Sequence, residues 1–308
     1  MSFFKNLFNN TNDPDITLGY ENTRKFFKLL EKKQFDLVEK LYTGEQWDGK
    51  SLLLAGFQNS TLSPSLLQEW LKKNPDSSLA NLCIGVLNTK IAWDYRTSQL
   101  AKYVTDDQAD AFFEHLQLAH FDLQKAVLLD SNDANTISAL ITVHMGLEIP
   151  IEESISLFEQ LKIIEPAHMG GHLAILSRLT PKWGGSLEEM IHFSEKYQYD
   201  TPELLILPLI SLINQWENYH LEENIEQYKA FFKLEETKEV VRHLYERYLT
   251  QNHVSLLAPI LSNYLALVLF KAGFRQEFKL VVETFRGKMY PHPWSRVGIT
   301  NYSQLLKM

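Results

Sequence analysis

Apolar residues recur every three to four positions along almost the whole chain, the spacing that lines one face of an α-helix, whereas alternating runs flanked by hairpin-type turn residues are missing. The pattern predicts helix after helix. In "SPSLLQEWLKKNP" Ser63 is placed to cap a helix whose first turn holds Pro64, and Pro75 forces an end near Asn74. Within it Leu66, Leu67, Trp70 and Leu71 fall on one face and form a core stripe. Thr201 and Pro202 in "DTPELL" repeat the cap device, and beyond residue 200 the periodicity marks helices at 202–218, 221–233, 236–251, 254–271 and 275–286. The fold class is all-α.

Three helix entries resemble one another: "KKNPDSSLANLCIGVL", "LLDSNDANTISALITV" and "IIEPAHMGGHLAIL". Aligning Pro75, Ser131 and Pro166 gives separations of 56 and 35 residues. The second is close to the tetratricopeptide period of about 34, and the first equals one such unit plus an insertion that "IAWDYRTSQLAKYVTDDQ" supplies. These spacings predict a tetratricopeptide-like α-solenoid of stacked antiparallel helix pairs, which bury their apolar faces on one another and leave an extended concave surface. The expected organisation is a flexible amphipathic leader (1–16), a repeat region (17–200) and a C-terminal helical region (201–308) that continues or caps the stack.

The segment "LTPKWGGSLEE" interrupts the periodicity. Pro181 stops one helix, Gly184 and Gly185 permit positive φ, and Ser186 caps the next helix with Glu189 completing a capping box. Trp183 is expected to plug the gap between the two helices. The run Pro181-Lys182-Trp183-Gly184-Gly185-Ser186, with "IIEPAH" before it and Met190 and Phe193 after it, resembles the hallmark of an uncharacterised bacterial family of helical, tetratricopeptide-like proteins, a domain of unknown function. Trp70 before Pro75, Ala92-Trp93 with Arg96, and the helix ending "LQKAVLLD" stand in that family's order, so the resemblance covers about residues 40–200. Thr97 departs from it, because the family usually places Gly after that Arg. The resemblance implies a fold and no reaction.

Composition narrows the class. With 45% hydrophobic and 22% charged residues the chain can bury a core and lies outside the disordered range. Cys83, the only cysteine, sits in the apolar helical run "LANLCIGVL" and is expected to be a buried, inert thiol, which fits a reducing compartment. The start "MSFFKNLFNNTNDP" lacks a continuous apolar stretch and a small-residue cleavage site, so no secretory signal is read. The runs at 204–213 and 256–270 are too short and too interrupted to span a bilayer. A cytoplasmic protein is expected.

Ten histidines invite a metal hypothesis. Glu165, His168 and His172 can share a helical face, and Glu-x-x-His recurs at Glu189/His192 and Glu217/His220, the pairing used by di-iron helical bundles. The opposing reading is that these histidines hydrogen-bond at helix ends, and it is preferred, so no metal or other cofactor is expected. No nucleophile elbow, phosphate loop, dinucleotide fingerprint or H-E-x-x-H motif is present. Trp93 and Arg96 could stack on a ligand, but pairing of Arg96 with Asp94 at a helix crossing is preferred.

Charge is the remaining clue. The net charge is −8, and between Tyr103 and Leu161 eleven acids face one base, Lys125, whereas Lys271 to Met308 holds seven bases and two acids. An acidic surface attracts a basic protein and repels nucleic acid. The candidate partner-binding residues are Asp106, Asp107, Asp110, Glu114, Glu148, Glu152 and Glu153. The expected function is a non-enzymatic helical-repeat protein that binds a protein partner, concretely an immunity protein occluding a basic toxin domain. The alternative is a helical-bundle metalloprotein or enzyme using the Glu-x-x-His residues.

Overall fold

The computed structural model describes residues 13–97, 104–285 and 287–308. Every regular element among them is helical, and no strand occurs among them. Most of the expected leader, residues 1–12, lies outside the described residues. Residues 13–16 are tied down, since the Asp15 amide donates to the Met289 carbonyl (2.9 Å) and its carboxylate accepts from the Thr17 and Gly19 amides. Contacts divide the chain into two units: Tyr20–Arg178, and Leu179–Met308 together with the segment ending at Gly19.

The first unit runs α1 (Glu21–Glu31), α2 (Phe35–Thr43), α3 (Trp47–Ala55), α4 (Pro64–Lys73), α5 (Ser78–Arg96), α6 (Asp106–Leu129), α7 (Ala134–Gly146), α8 (Ile151–Ile164) and α9 (Met169–Arg178). Ser63 caps α4 by accepting from the Ser65 amide, and Leu67 and Trp70 on its inner face are fully buried. The three look-alike entries start α5, α7 and α9, alternate helices that pack on one another. Of the expected insertion, residues 91–96 end α5 and residues 106–108 begin α6, while 98–103 lie outside the described residues; α5 has 19 residues, α6 has 24, and the two pack along most of their lengths. Asn135 ties α7 to α3: its amide donates to the Trp47 carbonyl (3.0 Å) and its oxygen accepts from the Ser51 hydroxyl (2.6 Å).

The corner after α9 differs in mechanism from the sequence expectation. Pro181–Trp183 is a 3-10 turn, and only Gly184 takes a positive φ, of 87°. Gly185 serves close approach, because a Cβ there would lie 2.2 Å from the Leu179 carbonyl oxygen. Ser186 accepts from the Glu189 amide (3.1 Å), but the Glu189 carboxylate takes the Ser186 hydroxyl (2.9 Å) and leaves the reciprocal backbone leg of the box unmade. Trp183 stays partly exposed and does not fill a gap as a buried plug.

The second unit contains α10 (Leu187–Tyr197), α11 (Ile206–Leu221), α12 (Ile225–Ala230), α13 (Glu235–Thr250), α14 (Ala258–Ala272), α15 (Arg275–Thr284), α16 (Pro291–Ser295) and α17 (Tyr302–Leu305). The Thr201–Pro202 device opens a 3-10 turn, and the Thr201 side chain makes no cap hydrogen bond. The two strongly apolar runs are core: α14 packs on α11, α13, α15 and α16, and every residue from Ile260 to Leu269 is buried. Asn263, fully buried in that run, uses its whole hydrogen-bonding capacity. Its nitrogen donates to the carbonyls of Pro259 (2.7 Å) and Lys288 (3.1 Å), and its oxygen accepts from the Tyr290 amide (3.0 Å) and the Trp294 indole (2.7 Å).

Two substitutions test these local readings. Asn263→Ala strands the Lys288 carbonyl, the Tyr290 amide and the Trp294 indole in the core, and a loss of about 3 kcal/mol or more is expected in urea unfolding. A loss under about 1 kcal/mol would show the network to be dispensable. Thr97, a β-branched residue, sits at φ 57°, ψ 179°, a region that essentially only glycine enters without strain. Thr97→Gly is therefore expected to stabilise by about 1 kcal/mol, read as a higher melting temperature; a lower one refutes the strain.

Candidate functional site

Helix α6 is built to show two faces. Thr105 begins it with a complete capping box, its hydroxyl accepting from the Gln108 amide while the Gln108 side chain accepts from the Thr105 amide. Phe112, Leu116, Ala119, Leu123 and Ala126, spaced three or four apart, are buried against the neighbouring helices. The opposite face carries Asp106, Asp107, Asp110 and Glu114 in the first turns, all exposed. Glu148, in the turn after α7, and Glu152 and Glu153, at the start of α8, are exposed as well.

All seven acids proposed from sequence thus reach solvent, and none lies in an ion pair with a base among the described residues. The one base of the acidic span, Lys125, is turned aside to the Pro75 carbonyl (3.2 Å). Asp106, Asp107, Glu152 and Glu153 occupy first turns and complement their helix dipoles, which is a folding role. Asp110, Glu114 and Glu148 have no such role.

Sequence reasoning missed the apolar half of this face. Phe113, Leu118, Phe121 and Leu128 are 40%, 47%, 68% and 85% exposed, well above the burial of the inner stripe on the same helix. Ile155 and Ile163 project similarly from α8. The signal was present in "FFEHLQLAHFDLQKAVLL", which holds more apolar residues than one helical stripe can bury, but periodicity alone does not say which are surplus.

Beneath the face, His120 of α6 and His144 of α7 meet Nε2 to Nε2 at 3.2 Å, and Ser154 of α8 approaches His144 Nδ1 at 3.4 Å. Burial pushes His144 down to about 4 and also lowers His120, so the pair is neutral at physiological pH. His168, 1% exposed against the Trp47 ring, accepts the Gly171 amide hydrogen on Nδ1 and is pushed down to about 3 by burial.

The Glu-x-x-His residues do not converge. Glu165 caps the Ala167 amide, Glu189 holds Ser186, Glu217 pairs with Arg296, and His220 lies against Tyr228. Among the described residues no three His, Cys, Asp or Glu side chains gather as a metal-binding group. Trp93 packs edge-on against Phe112, and Asp94 pairs with Lys90. Cys83 is fully buried and its thiol is pushed well up by burial. No helix among the described residues is long and apolar enough to cross a membrane.

The two depressed histidines give a signed pH dependence. Unfolded, each takes up a proton near pH 6.5; folded, only near 4 and 3, so stability present above pH 6.5 is lost as pH falls. The expected loss is roughly 2–3 kcal/mol from each by about pH 4.5. Asp122, held up to about 6 by burial, works in the opposite sense and offsets part of it. Urea unfolding at about pH 7.5 and 4.5 measures the loss, and His144→Gln should remove one histidine's share; an unchanged pH dependence in that variant would contradict the assignment.

Residues 19–151 match the family model described as a domain of unknown function (DUF4034), a span that holds α1 to α7 and the acidic and apolar residues of α6, and that ends before the Pro181–Ser186 run. None of the curated proteins matches the chain.

Proposed function

We propose that this chain is a non-enzymatic, cytoplasmic helical-repeat protein whose α6–α8 surface holds a protein partner with a basic surface. The observation that carries the reading is the set of seven exposed acids with no basic counterpart among the described residues. Uncompensated charge of one sign steers an oppositely charged protein into encounter and rejects nucleic acid. The tetratricopeptide-like reading of residues 17–200 draws support from the contacts of α5 with α7 and of α7 with α9, since stacked repeats place like helices side by side. In its most concrete form the protein is an immunity protein that covers a bacterial toxin domain, a task that needs a stable scaffold and a complementary surface and no reaction.

Capture from native lysate tests this, using the wild-type protein beside a variant carrying Asp110→Lys, Glu114→Lys and Glu148→Lys. A stoichiometric basic protein is expected on the wild type, with affinity about tenfold or more weaker on the reversed variant. Recovery of no such protein, or equal recovery by both baits, would sink the reading.

A further inference from the structure

We propose that the partner presents a basic amphipathic helix, which lies along α6 with its cationic residues on Asp110 and Glu114 and its apolar residues on Phe113, Phe121 and Leu128. The proposal rests on the protein-binding reading above and names the form its partner takes.

The apolar row is surplus to folding. At about 100° per residue, Asp110, Phe121 and Leu128 share one line of the helix, with Phe113 and Glu114 to either side, while Leu116, Ala119, Leu123 and Ala126 fill the inner stripe at 0% exposure. Large apolar side chains left exposed along one side of a helix point to an interaction surface more than the same residues scattered singly would. Phe113 to Leu128 spans about 22 Å, which an α-helix of about 15 residues covers.

Charge selects the occupant. The row begins among carboxylates at its N-terminal end, and α8 carries Glu152, Ile155 and Ile163 on one helical face, where Glu159 is already paired with Lys162. Both helices pack on α7, and the His120–His144–Ser154 contacts join all three. Apolar anchors one and two helical turns apart, with carboxylates at one end, are the complement of a helix bearing leucine-like side chains on one face and Lys or Arg beside them. A second copy of this chain fits poorly, because pairing the face with itself sets the same carboxylates on both sides of the contact.

The probe is a fluorescein-labelled peptide of leucine and lysine, about 18 residues long, with leucines at helical spacing, titrated with the full-length protein and followed by anisotropy. Saturable binding is expected, absent for a scrambled peptide of the same composition. Phe121→Ser with Leu128→Ser, both outside the core, should weaken it about tenfold or more while circular dichroism stays unchanged. Asp110→Asn with Glu114→Gln should weaken it several-fold at about 50 mM salt and less at about 500 mM. Equal binding by the serine variant, equal binding of the scrambled peptide, or no saturable binding overturns the proposal. If only the acid variant loses binding, the amphipathic-helix inference fails and the basic-partner reading stands. Sedimentation that shows a dimer abolished by the serine variant assigns the row to a second copy, which also overturns it.

Discussion

The seating of α6 between α5 and α7 is the constraint on which the rest of the candidate face depends. Gly85 on α5 lets the two backbones close until a Cβ there would stand 2.5 Å from Leu123 Cγ and 3.3 Å from the Ala119 carbonyl oxygen. Gly146 does the same for α7, where a Cβ would stand 2.5 Å from Leu116 Cδ1. A helix gripped on both sides cannot roll, because any rotation drives a leucine into a backbone. Its period then decides which residues look outward, so two glycines on neighbouring helices fix the direction of Phe121 and Leu128 without touching either.

The same packing shapes the field above the face. His120 and His144 lie directly below it, and because burial holds them neutral they place no cation under the carboxylates. Lys125, which could have done so, is committed to the Pro75 carbonyl. The acidic potential therefore projects into solvent, reaching about 8–10 Å before salt screens it. Four of the acids stabilise helix starts whether or not anything binds, so only Asp110, Glu114 and Glu148 report on a partner without disturbing a cap.

Much of this fold was legible in the sequence, because helix starts and stops are local chemistry: Ser63 with Pro64, and Ser186 ahead of Glu189, need no knowledge of distant residues. The look-alike entries likewise marked α5, α7 and α9 correctly. What was not legible depends on partners far along the chain. Gly185 was read as a φ residue, yet its reason is the Leu179 backbone. Asn263 reads as an interruption of an apolar run until the carbonyl of Lys288 and the indole of Trp294 arrive to satisfy it. The acids of the face were visible by counting, but the apolar row was hidden among core residues of the same type, since only packing separates Phe112 from Phe113.

Neither half of the face suffices alone. Burying a Phe or Leu side chain yields about 1.5–3 kcal/mol, and three or four of them give a gross term of roughly 5–12 kcal/mol. Association costs an estimated 4–15 kcal/mol in lost freedom, so an apolar row by itself would hold a partner weakly and without preferred direction. Exposed carboxylates contribute little affinity each, yet they raise the encounter rate and penalise a helix that arrives reversed, with its apolar end on Asp110. Charge at one end and hydrocarbon at the other therefore set polarity along α6: the first selects which partner approaches and how, and the second decides how long it stays.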